Sequence, residues 1–289
     1  MTTTAPATPT EGEFRQSYYG AGEHPDPEGE LNRLRLQATA SWPKEARVLR
    51  EFGIRPDADL LEVGSGPGFT TELLLQEVPQ GSVTCLELEP HQIAEATGYL
   101  QRRAASPPRI IEGSILDAPL PDASFDLVHA RFVLQHVPDP VQALTEMRRL
   151  LRPGGRTVIV DIDDRLWGSV HPSADLPVIE KIIEGRVAMQ AARGGDRLIG
   201  RRVPALLREA GYTDIRVEAV AVSSDELGMA ALEPQLNVRS RYALMVDQNP
   251  EAAAAVAHVA DLVDQFLALP DASAMLLVFM FTGVKPEQS

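Results

Sequence analysis

The chain is 289 residues long, 44% hydrophobic and 24% charged, with a formal net charge of −14. Length and composition fit an ordinary folded globular protein, either one α/β body with added caps or about two domains. The acidic balance argues against sequence-independent binding to nucleic acid, whose affinity comes from clustered Lys and Arg. The longest apolar run, Ala274 to Phe281, is far short of the roughly 20 residues a membrane span needs.

Residues 1–27 open with MTTTAPATPTEGE, which has neither the basic and apolar regions of a secretory signal nor the arginines of a transit peptide, and reads as a solvated, disordered tail. A helical arm is expected over residues 28–53. From there strand-like and helix-like segments alternate, the pattern of βαβ units around a parallel sheet. Strands are expected at Asp59 to Val63, Ser82 to Glu89, Arg109 to Gly113, Ser124 to Ala130 and Arg156 to Ile162. The helices among them are expected at Phe69 to Glu77, His91 to Arg103 and Pro140 to Leu151, the last closed by a left-handed cap at Gly154 and Gly155 in "RPGG". These strands are apolar on both faces, as when helices cover both sides of a sheet.

The rhythm breaks after Asp164. Trp167 to Asp175 reads as loop, and Leu176 to Arg193 carries Val178, Ile179, Ile182, Ile183 and Val187 at helical spacing; residues 165–200 are therefore expected to form a lid over the carboxyl edge of the sheet. The core resumes in residues 201–289 with a helix at Val203 to Ala210, a strand at Ile215 to Val222 and a last strand at Ala274 to Val284. Two helices, Leu227 to Val246 and Pro250 to Leu269, fill the insert 227–269, which either caps a pocket or buries a homodimer face. The lone cysteine, Cys85, excludes an internal disulfide and a cysteine-rich zinc site and fits a reducing cytoplasm.

The stretch LLEVGSGPGFTT, Leu60 to Thr71, raises the functional question. Gly64, Gly66 and Gly68 permit backbone angles and close approaches that any Cβ blocks, so the turn is expected to seat a ligand. The dinucleotide fingerprint G-x-G-x-x-G puts its third glycine where Phe69 stands; Gly68 comes one residue early, which makes a diphosphate cradle the weaker reading.

With Glu62 two residues before the first glycine, the motif resembles that of class I S-adenosylmethionine-dependent methyltransferases. The order "LLEVGSGPG", "CLELEP", "EGSILDAPLPDASFD" and "LRPGG" extends the likeness over most of Leu60 to Val284, in the manner of the small-molecule branch typified by quinone-biosynthesis enzymes. The resemblance implies an α/β, Rossmann-like, doubly wound sheet of seven strands, the last antiparallel and inserted beside the fifth, with helical lid inserts around a 54–164 cofactor-binding core. It implies S-adenosyl-L-methionine as cofactor, held at the turn by Glu62, Gly64, Ser65, Gly66 and Gly68 and at the ribose by Glu87 with Leu88 beside it. Ser114, where the family often has an aspartate, and Ile115 would meet the adenine, the Ala130 carbonyl the methionyl ammonium, and Tyr19 would close over the whole.

Several of these residues carry two readings. Glu62 reaches the cofactor's ammonium or only braces the turn; Glu87 grips the ribose or is a solvated strand-end acid. Arg131 opens the substrate wall with Phe132, as a candidate catalytic group, or is an ion-pair partner. His136 is a general base near neutral pH or a packed histidine at a helix start. Asp161, Asp163 and Asp164 orient a substrate, bind a divalent metal or end a strand in solvent, and no metal is assigned. Tyr18, Trp167 and His171 line the acceptor or merely pack.

A sulfonium methyl is already activated, so such a protein has mainly to hold the acceptor in line and exclude water. The expected function is methyl transfer to a cytoplasmic small molecule, with secondary metabolism as its setting. Three alternatives stand beside it: an isomerase or cyclase that keeps the sulfonium intact, an NAD-dependent oxidoreductase, and a non-catalytic binding protein.

Overall fold

A computed structural model describes residues 26–166, 168–172, 176–239, 246 and 250–287. Helix α1 (Pro27–Glu51) starts where the Asp26 side chain accepts from the Gly29 N–H. The chain then alternates through β1 (Asp59–Val63), α2 (Phe69–Glu77), β2 (Ser82–Glu87), α3 (Pro90–Gln101), β3 (Arg109–Glu112), β4 (Phe125–Arg131), α4 (Pro140–Leu150) and β5 (Leu151–Asp161). It continues through β6 (Gly168–His171), α5 (Leu176–Ala192), α6 (Val203–Glu209), β7 (Thr213–Ser223), α7 (Ser224–Leu227), α8 (Met229–Leu236), α9 (Pro250–Leu267) and β8 (Ser273–Val284).

The strands form one sheet in the order β3-β2-β1-β4-β5-β8, with β7 on the far side of β8. Strands β1 to β5 are parallel, and β8 runs antiparallel to both β5 and β7. The period of two divides the apolar residues between the faces. Leu61, Val63, Val128, Ala130 and Ile159 pack on α4 and α6, while Leu60, Val83, Cys85, Leu127 and Val158 pack on α1 and α2. Strand order reverses between β1 and β4, and open α/β sheets bind ligands beyond the carboxyl ends of the strands at such a switch point.

Three expectations need correction. Trp167 to Asp175 is not all loop: Gly168–His171 pairs with β8, because β8 runs past the end of β5 and leaves backbone groups in the same line to be satisfied. Helix α4 has no left-handed cap at the glycines; it passes at Leu151 (φ −72°, ψ 141°) straight into β5, and Gly154 (φ 74°) lies inside that strand. The helix expected from Leu227 to Val246 is broken at Gly228, whose φ of 79° and ψ of 148° are incompatible with helix.

The overhanging part of β7 and β8 carries its own apolar cluster, Val222, Leu232, Leu236, Phe266 and Ala274, so the C-terminal insert is built on an extension of the same sheet. Helix α1 is strapped to it: Lys44 Nζ donates to the Ala221 carbonyl (2.6 Å) and pairs with Glu226, and the Gln235 amide donates to the Arg33 carbonyl (3.2 Å). Among the described residues no helix is long and apolar enough to cross a membrane.

Candidate functional site: a ligand cradle at the switch point

The three glycines of the turn all have positive φ, at 67°, 52° and 86°, but they do different things. A Cβ on Gly64 would lie 2.6 Å from Val133 Cγ2, so this glycine lets the segment after β4 press against the turn. A Cβ on Gly68 would lie 3.0 Å from Leu100 Cδ1 and 3.4 Å from the Ala96 Cα, so this one admits α3. A Cβ on Gly66 would meet nothing within 4 Å. Gly66 therefore faces open space, and its bare backbone is the ligand-facing part of the cradle.

Glu87, at the end of β2, holds that backbone in place. Its Oε2 accepts from the Gly66 N–H (2.8 Å), and its Oε1 from the N–H groups of Leu88 (2.8 Å) and Glu89 (3.1 Å). A carboxylate has about four lone-pair sites, so Oε2 keeps one for a ligand hydroxyl. Leu88 is 37% exposed beside it, an apolar side chain partly open to solvent.

Glu62 does not brace the turn through backbone N–H groups. It lies buried under α2, where Thr71 Oγ1 donates to its Oε2 at 2.5 Å, and burial lifts its carboxyl to about 8 against the partial relief from Thr71. Neighbouring Ser65 has a buried Oγ with no hydrogen-bond partner among the described residues. The same holds for Gln92 Oε1, on the face of α3 that also carries Ala96 and Leu100. Because Ala96 abuts Gly68, Gln92 stands one turn nearer the mouth of the cradle. After β3, Ser114 Oγ accepts from the Leu116 N–H (3.1 Å), a tight turn that leaves the N–H of Ile115 outside its own bonds.

On the other side of the crevice, Ala130 aligns with Val63 and Ile159, and the next residues turn sharply. Phe132 has φ 57°, an uncommon conformation for a bulky side chain, held by its N–H on the Val160 carbonyl (2.7 Å) and by the Arg131 guanidinium 4.4 Å from its ring centroid. Arg131 is an ion-pair partner: its Nε and Nη2 donate to both oxygens of Glu45 in α1, at 3.0 and 2.9 Å. Beside Glu62, His129 is buried with both ring nitrogens unpartnered, and burial depresses its pKa to about 4.

His136 is half-buried and meets α5. The Gln190 amide of α5 approaches its Nδ1 at 3.0 Å while also donating to the Gln135 carbonyl (3.1 Å). Burial, with Arg197 and Arg193 nearby, depresses the imidazole to about 4. The three aspartates part company. Asp161, fully buried, accepts from the N–H groups of Ile162 (2.9 Å) and Gln135 (3.2 Å), and burial lifts it to about 7. Asp163 pairs with Arg201 and Asp164 with Arg197, so both are committed to arginines and neither ends in solvent as a free carboxylate.

Residues 61–159 match the family model described as a methyltransferase domain. Over that stretch the chain is similar to methyltransferase domains. It is 34% identical over 193 residues to an uncharacterised 37.1 kDa protein in a transposon of Streptomyces fradiae, covering 65% of this chain and 52% of that protein. It is 33% identical over 131 residues to demethylmenaquinone methyltransferase of Staphylococcus aureus, covering 45% of this chain and 53% of the enzyme. The chain thus spans about half the length of the curated relatives it matches. In fold it is similar to phosphoethanolamine N-methyltransferase 2 of Haemonchus contortus solved with S-adenosylhomocysteine, at TM-score 0.55 and 19% identity over 85% of this chain and 53% of that one. It is also similar to the [4+2]-cyclase SpnF, at TM-score 0.50 and 22% identity over 80% of this chain and 76% of that one.

The residues at the turn fit a ligand such as S-adenosylmethionine on three features: the open side of Gly66, the spare acceptor capacity of Glu87, and the unpartnered buried Oγ of Ser65. The uncapped N-terminus of α2, at Gly68, adds a positive pole for a carboxylate. The expected cofactor residues Glu62, Gly64, Ser65, Gly66, Gly68, Glu87, Leu88, Ser114, Ile115 and Ala130 all follow the carboxyl ends of β1 to β4 or close them. Phe132, His136 and Asp161 gather after β4 and β5, whereas His171 is exposed on β6, aligned with Ser273. Tyr18, Tyr19 and Trp167 lie outside the described residues. Sequence reasoning missed Gln92, Gln190 and Glu45. Gln92 left a signal, as the polar residue on the apolar stripe of α3.

Proposed function

We propose that this protein transfers the methyl group of S-adenosyl-L-methionine to a small-molecule acceptor that approaches over the ends of β4 and β5. The observation that carries the reading is the pairing of Gly66 with Glu87: an open left-handed backbone position hydrogen-bonded to a strand-end carboxylate that still has lone pairs to offer. When bound, the cofactor supplies an activated methyl on a sulfonium. The chain's own contribution is to bind and orient. Glu87 accepts the ribose hydroxyls, the Gly64 to Gly68 backbone and the α2 N-terminus receive the amino-acid end, and Ser65 and Gln92 fill their missing hydrogen bonds on the cofactor. The demethylmenaquinone relative makes a quinone-like aromatic acceptor a reasonable first trial, and the single buried cysteine suits a reducing compartment.

A second reading has one observation in its favour. With its pKa near 4 and Nδ1 engaged by Gln190, His136 is a poor base at neutral pH, which suits an acceptor needing no deprotonation or a cyclisation that leaves the methyl in place. Thermal shift with S-adenosylmethionine, S-adenosylhomocysteine and NAD tests the cofactor assignment, since ligands that bind the native state raise its melting temperature. A shift with NAD alone would overturn it. Demethylated cofactor accumulating with a candidate acceptor, followed by mass spectrometry, separates methyl transfer from cyclisation.

A further inference from the structure

We infer that Glu45 of α1 is a positioning residue for the cofactor cradle: through Arg131 it holds the end of β4 against the glycine turn, so that docking of α1 and shaping of the pocket are one event. The inference rests on the cofactor reading above and extends it to a residue 86 positions from the group it acts on.

Helix α1 devotes one stripe to a single guanidinium. Gln37, Ser41 and Glu45 are spaced four apart, and Arg131 Nη2 donates to the Gln37 carbonyl (3.0 Å), to Ser41 Oγ (3.1 Å) and to Glu45 Oε1 (2.9 Å), while Nε takes Glu45 Oε2 (3.0 Å). Ser41 Oγ itself donates to Glu45 Oε1 at 2.5 Å. Both partners are out of water, with side chains 7% and 0% exposed. A buried pair of this kind contributes little net stability, because desolvation offsets the attraction. What it provides is geometry, since the bidentate fork fixes the guanidinium in position and in plane.

The guanidinium carbon sits over the ring of Phe132, whose left-handed backbone needs neighbours to over-determine it. The following residue, Val133, is the one a Gly64 Cβ would strike at 2.6 Å. The chain of contacts therefore runs from Glu45 to Arg131, to Phe132 and Val133, to Gly64, and so to the turn that Gly66 and Glu87 complete. Other polar ties of α1 run elsewhere, from Arg50 to Glu77 and from Lys44 and Arg33 to the C-terminal insert.

The test uses the full chain with Glu45→Gln, which keeps the shape and removes the charge, and Glu45→Asp, which keeps the charge and shortens the reach. Titration calorimetry with S-adenosylhomocysteine is expected to show binding weakened about tenfold in Glu45→Gln, as when a hydrogen bond to a charged group is lost, and less in Glu45→Asp. Hydrogen exchange without ligand is expected to quicken at residues 62–68 and 131–133 in both, while residues 280–284 of β8 keep their protection; a merely structural loss would loosen all of these together. Unchanged exchange at residues 62–68 and 131–133 in the two variants overturns the inference, as does unchanged affinity. If Glu45→Gln does not fold, Glu45→Asp carries both readouts. If the unaltered chain ignores S-adenosylhomocysteine, the cofactor reading falls, and the ligand-free exchange still decides whether Glu45 shapes the turn.

Discussion

The Gly66 N–H donates to Oε2 of Glu87 across 2.8 Å, which makes the glycine turn after β1 and the carboxyl end of β2 a single hydrogen-bonded unit. Glu87→Ala deprives three backbone N–H groups of their acceptor and, on the proposed function, the ribose as well. Cofactor affinity should fall by about tenfold or more, given roughly 1.5–3 kcal/mol for each hydrogen bond to a charged acceptor, with a lower melting temperature alongside. Calorimetry showing unaltered affinity would end the ribose assignment.

The glycines should separate on substitution. Gly66→Ala meets no steric neighbour, so the protein should fold with a loss of about 1 kcal/mol for the left-handed backbone while cofactor binding drops as the new methyl fills the cradle. Gly64→Ala drives a methyl into Val133 and should destabilise the fold itself. Chemical denaturation beside ligand titration reads the two effects; equal loss of stability in both variants would contradict the division of roles.

Stability should fall as pH rises from about 6.5 to 8. Glu62 at about 8 and Asp161 at about 7, both raised by burial, bind protons more tightly folded than unfolded, so their contribution is present at low pH and lost as pH passes their folded values. His129 and His136, both depressed to about 4 from 6.5 by burial, act oppositely, and their contribution is lost as pH falls through that window. The two sets oppose each other between about pH 4.5 and 6.5 and leave the carboxyls unopposed above it. Glu62→Gln, which keeps an acceptor for Thr71, should flatten the fall measured by melting at pH 6 and pH 8. An equal fall in the variant would show that Glu62 is ionised throughout.

His136 should behave as an anchor for α5 and not as a base. The Gln190 amide lies 3.0 Å from Nδ1, and a bond donated there puts the neutral ring's proton on Nε2 and engages its acceptor lone pair. His136→Ala is expected to speed amide exchange along residues 180–192 and to leave cofactor affinity near that of the unaltered chain. Once an acceptor is in hand, turnover should drop less than about tenfold; a loss of the 10²–10⁴-fold typical of a missing general base would restore that role.

Local chemistry was enough to read much of this molecule. Phe69–Glu77 and Asp59–Val63 match the strand and helix bounded by the glycine turn, because apolar runs, turn glycines and helix starts act over a few residues. The candidate cradle could be proposed for the same reason, since Glu62 and the three glycines fall close together in the chain and Glu87 ends the next strand. Burial partners were not legible. Glu45 looks like any charged residue on an amphipathic helix, and Arg131 like the start of a substrate wall, until β4 and α1 are laid face to face and each supplies the other's counter-charge.

The sequence by itself determined the alternation of strands and helices and the glycine turn after the first strand, because each follows from neighbours along the chain; that Gly66 is the open glycine and that Glu87 holds its N–H came from the packing of β1 beside β2. The tertiary structure decided that β6 exists, that Glu62 sits under Thr71 and away from the backbone of the turn, and that three of the expected polar site residues, Arg131, Asp163 and Asp164, spend their charge on arginine–carboxylate pairs. The reason is electrostatic: a charge removed from water takes whichever opposite charge the packing brings within reach, and that choice is written in contacts between distant segments.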